Sequence, residues 1–207
     1  MGVKRKKTDP TVCIVESLGF LEEQNHREGE IIARTLQLSN KPAPYAYVRT
    51  RAELEAFIEE FAESRHRYLH ISCHGNRSGL YTTIDELPAV EFARQIAPYV
   101  AKRRVFLSTC QGADSRFALE LMHSSECWSV LAPVGEIHFN DAAIFWTAFY
   151  HLMFKKNADS MRLSDIESNV AICANLVGQD FRLFYRAGKL VAQKSLGPGG
   201  VRKGKSV

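Results

Sequence analysis

The sequence predicts a mostly parallel α/β sheet covered by helices on both faces. Three observations carry this. Short apolar, β-branched runs alternate along the chain with segments of helical period, the pattern of strand–helix–strand units. Two of those runs stop at a reactive side chain followed by glycine, His74-Gly75 and Cys110-Gln111-Gly112. Sheets of this class bind ligands at the carboxyl ends of their strands, where glycine lets the backbone approach closely. Finally, 207 residues with 45% apolar content suffice for one domain with a substantial core.

In chain order, Thr11 to Glu16 reads as a buried strand, and Arg27 to Leu38 as a helix closing at Asn40 before Pro42. Tyr45 to Arg49 is a second strand. Thr50-Arg-Ala-Glu53 is a capping box, followed by Leu54, Phe57, Ile58 and Phe61 at helical spacing. Residues 67–73 form the third strand, ending at His74. Asn76 to Gly79 has turn chemistry, and Leu80 to Ile84 reads as a small hairpin arm. Pro88 opens a helix to about Val100. Arg104 to Thr109 is the fourth strand, ending at Cys110, and Ala113 to His123 a helix. Trp128 to Val134 is a fifth strand. Asp141 starts a long apolar helix with Trp146, Phe149, Tyr150 and Met153, expected in the core unless it is a partner face. A further helix spans Met161 to Leu176, with Gly178 as its terminator. Phe181 to Tyr185 and Leu190 to Ala192 read as a closing hairpin.

Seven basic residues stand at the ends (Lys4, Arg5, Lys6, Lys7, Arg202, Lys203, Lys205), so a formal net charge of +4 leaves −3 for everything between. The expected organisation is a basic disordered leader over residues 1–10, one domain over 11–194, and a flexible basic tail over 195–207. Nucleic acid is not an expected partner except through those ends. No apolar run has the ~18 residues of a membrane span, and no signal peptide follows the basic start. Five cysteines, an odd number set mostly in apolar runs, predict reduced thiols and a cytoplasmic location. No zinc-type spacing occurs, and neither a metal nor another cofactor is expected.

A histidine and a cysteine on consecutive strand tips form a nucleophile and its proton-transfer partner. Cys110 would attack a carbonyl as thiolate, and His74 would protonate the leaving amine. The backbone N–H groups of Gly75 and Cys110 are the candidate oxyanion donors. Cys13, Cys73, Cys127 and Cys173 read as small core residues. His66 and His70 read as structural or solvated, and His138 and His151 as structural.

These two motifs, in this order and strand context, resemble the caspase-like cysteine peptidases, including the CHAT (caspase and separase-related) domains of prokaryotes. Ser129 to Val134, Asn140-Asp141 and the aromatic helix Phe145 to Phe154 are similar to the closing segment of a CHAT domain. Two departures are Ala132-Pro133-Val134 where a tryptophan usually stands, and Gln111 where glutamate is common. The resemblance covers roughly residues 11–155. It implies a bacterial peptidase built as a three-layer α/β/α sandwich on a six-stranded sheet with an antiparallel last strand. It also implies a His74/Cys110 dyad, a peptide or protein substrate, a regulatory protein partner, and recognition of a charged residue before the cleaved bond. Asp141 matches the acidic residue that selects a basic side chain in separase-like members. Arg27 stands near the arginine that selects aspartate in caspases. Asp141 is favoured, with a plain helix start as its alternative. Arg27 has a solvated helix start as its own.

Two other functions fit parts of the sequence. Cys110 to Arg116 matches C-x5-R, the loop with which cysteine-dependent phosphatases wrap a phosphate, although Thr109 precedes the cysteine and Phe117 follows the arginine. A catalytically silent interaction module on the same fold is the third possibility.

Overall fold

The structure, a computed structural model, describes residues 8–114, 116–198 and 200–203. Its elements in chain order are β1 (Asp9–Ser17), α1 (Glu28–Leu38), β2 (Tyr45–Tyr47), α2 (Arg51–Glu63), β3 (His66–Gly75), β4 (Gly79–Tyr81), β5 (Glu86–Pro88), α3 (Ala89–Ile96), β6 (Arg104–Ser108), α4 (Arg116–Ser124), β7 (Ser129–Pro133), α5 (Phe139–Lys156), α6 (Leu163–Val177), β8 (Phe181–Ala187), β9 (Leu190–Gly197) and β10 (Gly200–Lys203), with a short 3-10 turn over Ala97–Val100.

Eight strands run in the order β10-β9-β8-β7-β6-β3-β1-β2, and β4 and β5 form an arm off the end of β3. Strands β2, β1, β3, β6 and β7 are parallel, whereas β8, β9 and β10 are antiparallel additions. The expected class therefore holds, and the expected six strands are too few. Both arms of the closing hairpin join the sheet because Phe181, Leu183, Val191 and Leu196 all bury side chains on it, and β10 then pairs with β9. Residues 195–203, expected as tail, thus begin with the end of β9 and include β10. Residues 1–7 of the expected leader, and 199 and 204–207 of the expected tail, lie outside the described residues.

Strand alternation assigns each side chain to one of two helical layers. Leu69, Ile71 and Cys73 of β3, with Val105 and Leu107 of β6, pack against α2, α3 and α4. Tyr68 and Phe106, on the opposite face, pack against α1, α5 and α6. Helix α5 is core: Trp146, Phe145 and Phe149 are fully buried, and Phe145 stacks on Phe181 with centroids 3.7 Å apart. The aromatic face considered as a partner surface is consequently covered by the chain itself. Local signals also hold. The capping box is closed in both directions, Glu53 N–H donating to Thr50 Oγ1 (3.2 Å) and Thr50 N–H to Glu53 Oε2 (3.0 Å). Gly178 ends α6 at φ 70°, the left-handed region that glycine enters without penalty.

Candidate active site

Strands β3 and β6 lie side by side in parallel register, with Ser72 opposite Ser108. Two residues further on, His74 and Cys110 carry the same parity and so emerge on the α1/α5 face of neighbouring tips. They line one cavity of about 180 Å³, together with Glu28, Ser72, Ser108 and Phe139. No hydrogen bond joins His74 to Cys110. The Cys110 Sγ lies 3.6 Å from the Ile137 carbonyl oxygen. His74 Nε2 lies 2.5 Å from Glu22 Oε2, with the ring edge-on to Phe139.

The backbone around the thiol is tightly built. Gln111, directly after it, holds φ at 54°, a conformation that side-chain-bearing residues rarely adopt and that is concentrated at functional sites. Gly75 has no room for a side chain, since a Cβ there would stand 2.1 Å from Thr109 Oγ1 and 3.3 Å from the Cys110 carbonyl oxygen. Asn76 N–H donates to Gly79 O at 3.0 Å. Successive N–H groups of a strand point to opposite edges, so Gly75 N–H points the other way, toward the β6 tip.

The other four cysteines differ from Cys110. All are buried, and burial pushes the thiols of Cys13, Cys73 and Cys127 up to about 12 and that of Cys173 to about 11. Thiols so placed are inert. Cys110 is half-exposed.

Three carboxylates that sequence reasoning did not single out complete the site. Glu22, on the turn after β1, accepts the Gly19 N–H at 2.9 Å as well as contacting His74. Burial pushes its carboxyl up, but the bonds to His74 and Gly19 and the nearby His74 and His26 charges outweigh that and hold it below its ordinary value. Glu28 opens α1 and is 3% exposed. Its Oε1 has no hydrogen-bond partner, His70 Nε2 standing 3.8 Å away and also unpartnered, and Ser72 Oγ reaches its Oε2 only at 3.5 Å. Ser108 Oγ, in the same cavity, is likewise buried without a partner. Glu16, fully buried beneath this floor, accepts the Gly29 N–H (2.8 Å) and the Tyr45 hydroxyl (2.7 Å). Burial nevertheless raises its carboxyl to about 7, with the neighbouring Glu28 adding to the rise.

The signal for Glu28 was the glycine beside it. A Cβ on Gly29 would press to 3.0–3.3 Å against Ile14, Tyr45 and Glu16, so glycine lets the start of α1 pack closely onto the sheet beside Glu28.

Neither residue expected to select substrate lines this cavity. Arg27 donates to Glu23 O at 2.6 Å, lies over the Tyr47 ring and borders a separate surface hollow. Asp141 sits in the first turn of α5, which begins two residues earlier than expected with His138 as N-cap, so Phe139 and Ala142 face the cavity instead. His138, read from sequence as structural, is exposed and lines the cavity. Helix α4 starts at Arg116 rather than Ala113, further from the thiol than expected.

Among its described residues the C-x5-R stretch does not show the geometry of a phosphate loop. Such a loop aims its N–H groups at the anion. Here the N–H groups of Gln111, Gly112, Ala113 and Asp114 already donate to Gly135, Thr109, Pro133 and Gln111 carbonyls. Arg116 lines a different cavity from Cys110. Among the described residues no cluster of three or more His, Cys, Asp or Glu could hold a metal, and no helix is long and apolar enough to cross a membrane.

No family model matches the sequence, and no curated protein does. Among solved structures the chain is similar to the Arg-specific cysteine proteinase gingipain R (RGPB), with a TM-score of 0.56 at 12% identity. The match covers 79% of this chain and 41% of that one, so the chain spans about two-fifths of the neighbour's length. At this identity the likeness is one of fold, and the fold is the one expected from the caspase-like resemblance.

Proposed function

We propose that this protein is a cysteine peptidase that cleaves after a basic residue, with Cys110 as nucleophile, His74 as proton carrier and Glu28 as the group that receives the basic side chain. The observation that carries the reading is the shared cavity. A thiol and an imidazole on neighbouring strand tips open onto a pocket floored by a buried carboxylate oxygen and a buried hydroxyl oxygen, both without hydrogen-bond partners. Buried acceptors of this kind call for a donor. Guanidinium, with five N–H donors and a fixed positive charge, matches them, whereas an acidic side chain would be repelled. The Arg specificity in the neighbour's description agrees with this choice.

In the reaction the Cys110 thiolate attacks the carbonyl carbon. The oxyanion is held by the Gly75 N–H, with the Cys110 N–H as second donor. His74 gives its proton to the amine as the C–N bond breaks, leaving an acyl-enzyme. Water then attacks the thioester, His74 takes its proton, and the carboxylate product leaves the thiolate free. Glu22 orients the imidazole and stabilises its charged form, as a third group does in hydrolytic triads.

The test is a panel of fluorogenic peptides with Arg, Lys, Asp or Leu before the cleaved bond, assayed with wild type, Cys110→Ala, His74→Ala and Arg116→Ala beside p-nitrophenyl phosphate. Cleavage of the Arg and Lys peptides that disappears in both variants supports the reading. Phosphate release that depends on Arg116 and survives His74→Ala would overturn it.

A further inference from the structure

On the opposite face of the same strand tips lies a second cavity, of about 550 Å³, lined by Arg77, Ser78, Pro88, Ala89, Val90, Asp114 and Arg116. Of the arginines whose side chains are described, only Arg77, Arg116 and Arg162 have no hydrogen bond, ion pair or ring contact, and two of these three border this one cavity. The third charged group there, Asp114, is already held by Arg182 Nη1 at 3.0 Å. Both free arginines are exposed.

Their carriers are fixed. Asn76 Oδ1 accepts the N–H groups of Ser78 (2.7 Å) and Gly79 (3.2 Å), closing a tight turn around Arg77. Ala89 N–H donates to Ser78 O at 2.9 Å, tying that turn to the start of α3. Arg116 stands at the first position of α4. The two guanidinium groups thus border a common space and lack a counter-charge.

The tip that carries His74 continues through Gly75 and Asn76 to Arg77. In the proposed reaction His74 serves the leaving amine, and the tip that carries it leads on to the second cavity, whereas the proposed site for the basic side chain is the first. We infer that Arg77 and Arg116 form a subsite for acidic side chains on the leaving-group side of the substrate. This rests on the peptidase reading. An extended substrate advances ~3.3 Å per residue, and Arg77 lies two residues past Gly75, so the acidic group belongs at about the second to fourth position after the bond. A substrate matching both cavities carries a basic residue, then the cut, then an acidic segment.

Quenched fluorescent peptides with arginine before the bond test this, with Asp, Ser or Lys at the first to fourth positions after it and a matched set with Asp placed before the arginine. Exposed charge pairs give modest gains, screened over a Debye length of ~8 Å at physiological salt. The expected result is kcat/KM about 5- to 10-fold higher for acidic than for serine peptides at 50 mM salt, collapsing at 0.5 M. Arg77→Glu with Arg116→Glu should invert the order in favour of lysine while serine peptides are cleaved at the wild-type rate. Equal cleavage of the whole series, or a gain only from acids before the bond, overturns the subsite and leaves the peptidase reading standing. Failure of wild type to cleave any peptide overturns both. A drop of serine peptides along with the rest in the double variant would show these arginines to be structural, and sinks the subsite as well.

Discussion

Replacing Glu28 with glutamine should move activity and stability in opposite directions. The carboxylate is 3% exposed, its Oε1 has no donor, and its nearest relief is His70 Nε2 at 3.8 Å. A substrate guanidinium entering the cavity supplies the missing donors and the opposite charge. Losing one side of a buried, hydrogen-bonded charge pair costs about 2–5 kcal/mol, so kcat/KM for an arginine peptide should fall by at least ~30-fold. In the free enzyme the same carboxylate is a buried charge without adequate compensation, which is costly. Glutamine keeps the shape and removes the charge. Because Ser72 already offsets part of the cost, the gain should be near the low end, about 1 kcal/mol, or a Tm rise of ~2–4 °C for a chain of this size. Steady-state cleavage of Arg and Leu peptides, with thermal unfolding of both proteins, measures the two effects together. Unchanged cleavage of arginine peptides by Glu28→Gln would refute the reasoning. So would a substitution that lowers Tm and cuts Arg and Leu peptides equally, because that pattern marks a packing role.

Two other carboxylates give separable signatures. Glu22→Gln should lower kcat by roughly tenfold with little change in KM, and should shift the pH profile by removing the charge beside His74; an unchanged profile counts against an orienting role. Glu16 has its folded pKa raised from 4.5 to about 7, so the folded state holds the proton more tightly than the unfolded chain. Stability from this group is therefore full below about 4.5 and is lost as pH rises through 7. The loss between pH 5 and 8 should be about 2–3 kcal/mol, and urea titrations of Glu16→Gln should lack that component of the slope; matching slopes in the two proteins would contradict the assignment.

What the sequence disclosed and what it withheld follow from the same rule: a strand fixes its own residues, and only the sheet order fixes their neighbours. His74 and Cys110 were legible because each ends an apolar run before a glycine-containing turn, and the parity that faces both to one cavity is local to each strand. Glu22 and Glu28 were not legible in that way. They follow β1, and they come beside His74 and its cavity only because β1 inserts beside β3, with Glu16 opposite Ser72, rather than at the sheet edge. No periodicity encodes that insertion. Asp141 was assigned by its place in a segment similar to other proteins, and in the first turn of α5 it is Phe139 and Ala142 that line the cavity instead. The strand count failed for a related reason, as the hairpin's apolar alternation was visible but its third partner, β10, lay in a Gly-rich stretch without such a pattern. On the proposed reading, the acidic groups are supplied by the turn after β1 and the start of α1, while the thiol and imidazole come from the tips of β6 and β3. The proposed chemistry would then be written into strand ends, and the proposed selectivity into the element that the sheet order brings beside them.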